Sequence, residues 1–505
     1  MADYDIIIIG SGAGGGTLAY ALAPTGQQIL IVERGDYIPR EKANWDPTAI
    51  FLEQRYQIQE DWYDERQQPF HPEAYYVVGG NTKVYGAALQ RMREQDFGEL
   101  AHYDGVSPAW PFSYGDFEPY YTRAESLYKI HGRRGEDPTE PQMSADFPFP
   151  PFPHEPRIQK VADQLQKLGL QPFHATLSLN RDVENPHNRP CIRCDTCDPY
   201  PCLADAKADA QVTCVDPALA YDNVSLLKNA YVARLHTDAS GQQVTQVEVQ
   251  TDGETRMLTA DRIVVSCGAI NSAALLLRSA SEAHPNGLAN SSDQVGRNLM
   301  FHNHTSLVAV SAEPNPTVFQ KTLSLHDFYF GGPDQDYPLG QIQLTGKAKW
   351  QRLKHQAPED MDRAMLEYIS QHSVDWWVTT EDLPSSDNRV TLTPTGDIQI
   401  SYQPNNLKAH HDLIAVLEGY LKQIGFYLFW HKYMGLPVVW HQSGTCRMDT
   451  DPKTSVLDTH CRTHDVENLY VVDSSFFPAM GAVNPTLTII ANALRVGDLF
   501  KASLG

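Results

Sequence analysis

The hydrophobic pattern opens with a short unbroken run. Ile6-Ile7-Ile8-Ile9 is β-branched and apolar at every position, as a parallel strand buried on both faces requires. Gly10-Ser11-Gly12-Ala13-Gly14-Gly15 interrupts it. Thr17 to Ala23 then reads as a helix, and Gln28 to Val32 as a second strand ending at Glu33. Strand, glycine turn, helix, strand and acid in this order form a dinucleotide-binding signature, with the acid at the expected interval of about 20 residues. Gly10 permits the tight turn, Gly12 lets the backbone approach a pyrophosphate, and Gly15 lets the helix pack close to the strand. The helix points its first N–H groups at the phosphates. Glu33 is placed to accept hydrogen bonds from a ribose diol. NAD and FAD both fit this pattern.

The same reading continues along the chain. Tyr75-Tyr76-Val77-Val78 leads into a second glycine turn, Gly79-Gly80-Asn81-Thr82, which suggests another backbone approach to the cofactor. Pro119 to Tyr128 reads as a helix with Asp116 as its cap, and the proline-rich stretch 137–156 as a loop. Leu226 to Leu235 and Val244 to Leu258 alternate as strands, the latter folding about Thr251-Asp252-Gly253. Arg262 to Ser266, Gly268 and the helix Asn271 to Arg278 repeat the strand–glycine–helix unit and join the same parallel sheet. From Phe301 to about Phe429, alternating segments such as Gln341 to Thr345, Val374 to Thr379 and Arg389 to Leu392 predict an antiparallel sheet in a second domain. The strand Leu469 to Val472 and the helix Thr486 to Leu499 return to the cofactor-domain texture.

Length and charge narrow the picture. A chain of 505 residues is too long for one compact core and implies two interleaved domains. Its hydrophobic content of 42% and charged content of 20% are those of a globular protein. A formal net charge of -22 argues against nucleic-acid or anionic-membrane partners. No stretch approaches the roughly 20 apolar residues of a membrane span. The start, Met-Ala-Asp-Tyr-Asp, enters the first strand at once, so the expected location is the cytoplasm.

Two C-terminal motifs carry the candidate chemistry. His441 precedes the glycine turn of Gln442-Ser443-Gly444-Thr445-Cys446-Arg447-Met448; Asp473 ends the strand Val471-Val472, and Asn484-Pro485-Thr486 opens the last helix. Together with the Gly10 loop, Gly79-Gly80, Val265 to Ala269, Gly287-Leu288-Ala289-Asn290 and Val295-Gly296-Arg297-Asn298-Leu299, these motifs resemble the glucose–methanol–choline (GMC) flavin oxidoreductase family. The resemblance implies FAD, an α/β fold with a Rossmann-like parallel-sheet domain, and a substrate domain built on an antiparallel sheet plus helices. It implies a discontinuous FAD domain over residues 1–100, 200–300 and 440–505, with substrate-binding and cap segments over 101–199 and 301–439. It further implies that Gly10, Gly12, Gly15 and Glu33 hold the ADP half, that the Val232 backbone contacts adenine, that Gly79, Gly80 and Asn81 lie near the isoalloxazine, and that Asp473 lies near the flavin chain.

By the same resemblance His441 is the active-site histidine and Asn484 the second catalytic position. Oxidising an alcohol removes a hydroxyl proton while a hydride leaves carbon for flavin N5. A histidine of ordinary pKa takes that proton at neutral pH, and an asparagine amide holds the oxygen without competing for the proton. For Asn484 the competing structural role is a helix N-cap before Pro485. Some relatives tether FAD through a histidine four residues after the second glycine of the turn; here that position is Val84, so non-covalent FAD is expected.

Cys191, Cys194, Cys197 and Cys202 follow C-x2-C-x2-C-x4-C, with Cys214 nearby. The spacing is close to a ferredoxin run, but its last gap is one residue longer and Leu203 replaces the proline; a reduced, metal-free loop is expected, with an iron–sulfur cluster or zinc as alternatives. The expected function is FAD-dependent oxidation of a CH–OH group of a small polar alcohol or sugar. The sugar reading rests on Trp376, Trp377, Glu381 and Asp382. Oxygen, a quinone or a redox protein is the electron acceptor. A non-redox flavin-bearing lyase and a flavin or iron–sulfur electron-transfer subunit are the rival readings.

Overall fold

The structure, a computed structural model, describes residues 2–180, 191–358 and 360–503. The parts of the expected domain ranges at 1, 181–190, 359 and 504–505 lie outside the described residues. Five parallel strands form the central sheet, in the order Val224–Leu227, Ile29–Val32, Tyr4–Ile9, Ala260–Val265 and Leu469–Val471. Tyr4–Ile9 lies at its centre, and Ile6, Ile7 and Ile8 are fully buried. Each such side chain contributes roughly 1.5–3 kcal/mol on burial. The last helix, Thr486–Ala502, packs against the first, Ala13–Leu22, where Gly497 approaches Ala21 closely.

The second large sheet is antiparallel. Its order is Phe426–Tyr433, Asn303–Ser311, Ser373–Thr380, Gln341–Leu344, Leu323–Leu325 and Phe173–His174. The helix Leu407–Gln423 turns Ala409, Leu413, Leu417 and Leu421 inward, a spacing of four that puts them on one face. They share a core with Leu307, Val374, Trp376 and Val378 of the sheet. The α/β class with a parallel sheet and a second antiparallel sheet is as expected from the sequence.

Several local expectations shift. The first helix begins at Ala13 rather than Thr17. Glycines 14–16 are poor helix formers, but tertiary packing overrides propensity here, since the helix must approach the strand ends closely. The helix expected from Pro119 runs Tyr114–Leu127. Ser113 is its cap, and Asp116 reaches back to accept from the Ser113 N–H at 2.8 Å, closing a capping box. The run Leu226 to Leu235 divides into Val224–Leu227 and Ala230–Thr237 in two different sheets, with Asn229 in the left-handed region between them. Arg389–Leu392 is a strand, but it belongs to a four-stranded sheet with Ile398–Ser401, Trp62–Asp64 and Pro69–Phe70. Alternation reveals a strand's exposed and buried faces, not which sheet it joins.

Candidate functional site

The glycine loop has the geometry its sequence demands. Gly10 sits at φ +101°, and a Cβ there would lie 2.2 Å from the Ser266 carbonyl oxygen. A Cβ on Gly15 would lie 2.1 Å from the Gly10 oxygen, so the helix reaches the turn only without a side chain. Gly12 is the N-cap of that ten-residue helix; a Cβ there would meet nothing within 4 Å, and no side chain caps the helix N-terminus. Uncapped N–H groups beside open space suit a pyrophosphate.

The second glycine turn folds onto the first. Gly79 N–H donates to Ser11 Oγ at 3.0 Å, and a Cβ on Gly80 would lie 3.2 Å from Gly12 Cα. The structure therefore places Gly79-Gly80 against the Gly10 loop. Asn81 Oδ1 accepts from the Tyr75 N–H at 3.1 Å.

Glu33 and Asp473 are both buried and already engaged. Glu33 accepts from Ser11 N–H at 3.1 Å, Ser11 Oγ–H at 2.5 Å and Gly35 N–H at 3.0 Å. Burial raises its pKa despite these bonds. Asp473 spends its oxygens on Gly268 N–H, Ser272 Oγ–H, Ser475 N–H and Ser475 Oγ–H, tying together the ends of two parallel strands. Val232 is buried on Ala230–Thr237, immediately before a bulge in its pairing with Val244–Thr251. Val84 is buried.

Backbone pairing explains how His441 acquires its neighbours. Met300 and Ser443 exchange two antiparallel hydrogen bonds, at 3.1 and 3.0 Å. Two residues beyond Met300 is His302, and two residues before Ser443 is His441, so antiparallel register sets them opposite. His304 follows at the alternating position of the strand Asn303–Ser311. His302 Nδ1 lies 3.0 Å and His304 Nε2 3.1 Å from His441 Nδ1.

The protons of this cluster follow from its outer partners. His302 Nε2 faces the Gly481 carbonyl at 2.7 Å and must donate, which leaves its Nδ1 as an acceptor. His441 Nδ1 therefore carries the proton that His302 accepts. His304 directs its Nδ1 to Thr379 Oγ1 at 3.2 Å and offers Nε2 as a second acceptor. In this arrangement His441 Nε2 is unprotonated. Burial lowers the pKa of all three rings, that of His302 to about 4, and the neighbouring imidazoles lower His441 and His304 further. The sequence suggested an ordinary pKa for His441; the buried cluster corrects this, because burial and the facing His302 ring both disfavour an imidazolium there.

Asn484 is half-buried and does not cap the last helix, whose N-cap is Pro485 with no side-chain hydrogen bond. Its Oδ1 accepts from Gln341 Nε2 at 3.0 Å. The two acids cited for sugar binding are structural. Glu381 accepts from Ser107 Oγ–H, Met480 N–H and Gly481 N–H and pairs with His102 at 3.2 Å. Asp382 accepts from Phe301 N–H and Tyr402 O–H. Trp376 is in the core, whereas Trp377 stacks on Trp440 and touches the His304 ring. Sequence reasoning passed over His302, His304 and Gln341. The His-x-His spacing beside the Val295 to Leu299 motif was the available signal.

Cys191, Cys194, Cys197 and Cys202 all line one apolar pocket with Trp45, Leu179 and Phe319. Cys197 Sγ lies 3.6 Å from Lys321 Nζ, and Lys207 Nζ donates to the Cys197 carbonyl at 2.7 Å. Among the described residues, no three of these sulfurs come within 4.8 Å of one another. Tetrahedral zinc at Zn–S distances of about 2.3 Å needs a tighter set. Burial raises the Cys191 thiol to about 12 and also raises Cys194. Among the described residues, no helix is long and apolar enough to cross a membrane.

Comparison with known proteins agrees with this architecture. Family patterns described as GMC oxidoreductase match residues 4–304 and 430–493. The chain is 32% identical to 6'''-hydroxyparomomycin C oxidase of Streptomyces lividus, over 99% of this chain and 92% of that protein. It is 30% identical to paromamine 6'-oxidase of Streptomyces fradiae, over 98% of this chain and 92% of that protein. The crystal structure of a pyridoxine 4-oxidase from Mesorbium loti shares the fold, with a TM-score of 0.69, 18% identity and 99% coverage of both chains. With a family match spanning well over half its length, and both candidate catalytic motifs inside or beside the matched segments, the chain belongs to the GMC oxidoreductase family.

Proposed function

We propose that this protein is an FAD-dependent oxidoreductase acting on the CH–OH group of a small polar alcohol or sugar. The observation that carries the reading is the three-histidine cluster, which leaves His441 Nε2 bare. FAD, when bound, supplies the hydride acceptor at its N5. His441 Nε2 takes the hydroxyl proton as the hydride leaves carbon, so the substrate loses two electrons and two hydrogens and becomes a carbonyl compound. Such base assistance contributes typically 10²- to 10⁴-fold. Asn484, with its Oδ1 held by Gln341, turns its amide N–H groups toward the substrate oxygen and fixes the geometry of approach.

The cofactor residues are assigned in the same reading. Gly10, Gly12 and Gly15 receive the pyrophosphate at the uncapped helix, Glu33 the adenosine ribose, and the Val232 backbone the adenine. Gly79, Gly80, Asn81 and Asp473 frame the remainder of FAD. The oxidase names of the relatives support hydroxyl-bearing sugar substrates, and a net charge of -22 favours approach of a cationic amino sugar. Oxygen, a quinone or a redox protein would be the final electron acceptor.

The test is anaerobic mixing of the purified flavoprotein with ethanol, 1,2-propanediol, glucose, fructose and paromamine, followed by oxygen or a quinone. Stoichiometric bleaching of the flavin by one of these supports oxidation. Bleaching by none favours the lyase or electron-transfer readings. A second reading concerns the cysteine pocket. Four thiols around one apolar pocket with two lysines nearby suit an iron–sulfur cluster that passes electrons onward. Iron and acid-labile sulfide in the purified protein would support it; flavin without iron would end it.

A further inference from the structure

The amide of Asn484 can face the substrate in two ways, as donor or as acceptor, and nothing in the adjoining helix decides between them. The decision comes from a chain of buried groups in three distant segments. Gln341 begins a central strand of the antiparallel sheet, His326 follows the strand Leu323–Leu325, and Asp137 lies in the proline-rich loop. Gln341 and His326 are both fully buried. Asp137 Oδ2 lies 2.9 Å from His326 Nδ1, His326 Nε2 lies 3.3 Å from Gln341 Oε1, and Gln341 Nε2 lies 3.0 Å from Asn484 Oδ1.

Charge fixes the direction of the first bond. An ionised carboxylate only accepts, so His326 Nδ1 donates to Asp137. Burial opposes ionisation of Asp137, but the facing His326 and Arg93 outweigh it and hold its carboxyl far below the ordinary range. Arg93 Nη2 approaches Asp137 Oδ2 at 3.4 Å, and Thr139 donates its N–H and hydroxyl to the other oxygen at 2.9 Å. His326 thus meets Asp137 at one nitrogen and the Gln341 oxygen at the other. Reversing the Gln341 amide would set its oxygen against Asn484 Oδ1, a repulsive contact.

We propose that Gln341 is a positioning residue, anchored through His326 to Asp137, that locks the Asn484 side chain with its NH₂ toward the substrate oxygen. The proposal deepens the reading of Asn484 given above and rests on it. Gln341 touches no reacting atom; it acts through Asn484. A reversed Asn484 would present an oxygen to the substrate oxygen. It would then compete for the hydroxyl proton that His441 removes.

A double-mutant cycle on the FAD-loaded enzyme tests this, read as the limiting rate of anaerobic flavin reduction by whichever alcohol of the panel bleaches it fastest. Gln341→Met keeps size and removes the hydrogen bonds. Gln341→Glu keeps size and the His326 contact but cannot donate to Asn484. Loss of one orienting hydrogen bond predicts a rate about three- to tenfold lower for each variant, with flavin content and thermal midpoint near wild type and the apparent substrate affinity little changed. In an Asn484→Ala background the same substitutions should change the rate less than about twofold, because the group they position is gone. Equal rate losses in both backgrounds, or a Gln341→Glu enzyme at the wild-type rate, would overturn the proposal while leaving Asn484 in place. An Asn484→Ala enzyme that reduces its flavin at the wild-type rate would instead remove the reading on which it rests.

Discussion

His302→Leu isolates the proton arrangement on which His441 depends. Leucine fills most of the ring's space but offers no nitrogen, so two contacts are lost: the 2.7 Å bond to Gly481 and the 3.0 Å bond from His441 Nδ1. Orphaning the Gly481 carbonyl costs about 1–3 kcal/mol of stability. The catalytic effect is separate. With His302 gone, His304 Nε2, 3.1 Å away, is able to donate to His441 Nδ1. That shift moves the His441 proton to Nε2 and blocks the base. The bias removed is that of one buried hydrogen bond, about 0.5–1.5 kcal/mol, so the fraction of usable base falls by roughly two- to tenfold. Stopped-flow flavin reduction under anaerobic conditions reads this directly, with thermal unfolding as the control for folding. The expected result is a limiting rate up to about tenfold lower, clearly milder than the 10²- to 10⁴-fold loss typical of removing a general base, as in His441→Ala. A folded, flavin-loaded His302→Leu enzyme at the wild-type rate would refute the tautomer argument. One as slow as His441→Ala would mean that His302 itself takes the proton.

Three further outcomes follow from the same geometry. Because burial and the neighbouring imidazoles lower the His441 pKa, its base form persists as pH falls. Flavin reduction should therefore hold its plateau through the ordinary histidine value of about 6.5, and a rate that halves there would contradict the cluster. Burial raises the Asp382 pKa to about 7 from an ordinary value of about 3.9, so the folded state holds this proton more tightly than the unfolded state. Its contribution to stability is present at acid pH and is lost as pH rises from about 4 through 7. Asp382→Asn should remove that decline in urea unfolding midpoints between pH 5 and 8, and an unchanged pH dependence would show that Asp382 ionises elsewhere in the scale. Val84 carries no nucleophile where some relatives hold a tethering histidine, so acid precipitation should release all flavin to the supernatant; yellow colour retained in the washed pellet would rule out non-covalent binding.

The dinucleotide loop was legible in the sequence because its requirements are local. A run of β-branched residues must be buried, and Gly10 and Gly15 must lack Cβ atoms whatever the rest of the chain does. Helix and strand positions were similarly clear, while helix starts and sheet membership were not. Capping and glycine packing moved the starts, and partners dozens of residues away chose the sheets. His441 and Asn484 stood out by resemblance to a family motif, but their sequence neighbourhoods gave neither a tautomer nor an amide direction. Asn484 before Pro485 looks like a helix cap, and only the Gln341 contact shows its oxygen spent elsewhere.

What the sequence determined by itself was a parallel-sheet nucleotide fold with a histidine and an asparagine in its C-terminal motifs. The tertiary structure decided which groups surround those two side chains. Antiparallel register between Met300 and Ser443 sets His302 opposite His441, and a chain of contacts from three separated segments ends at Asn484. The physical reason is that a hydrogen bond's direction and a buried group's charge depend on which donors and acceptors surround it. For these two residues, nearly all of those partners lie far away along the chain.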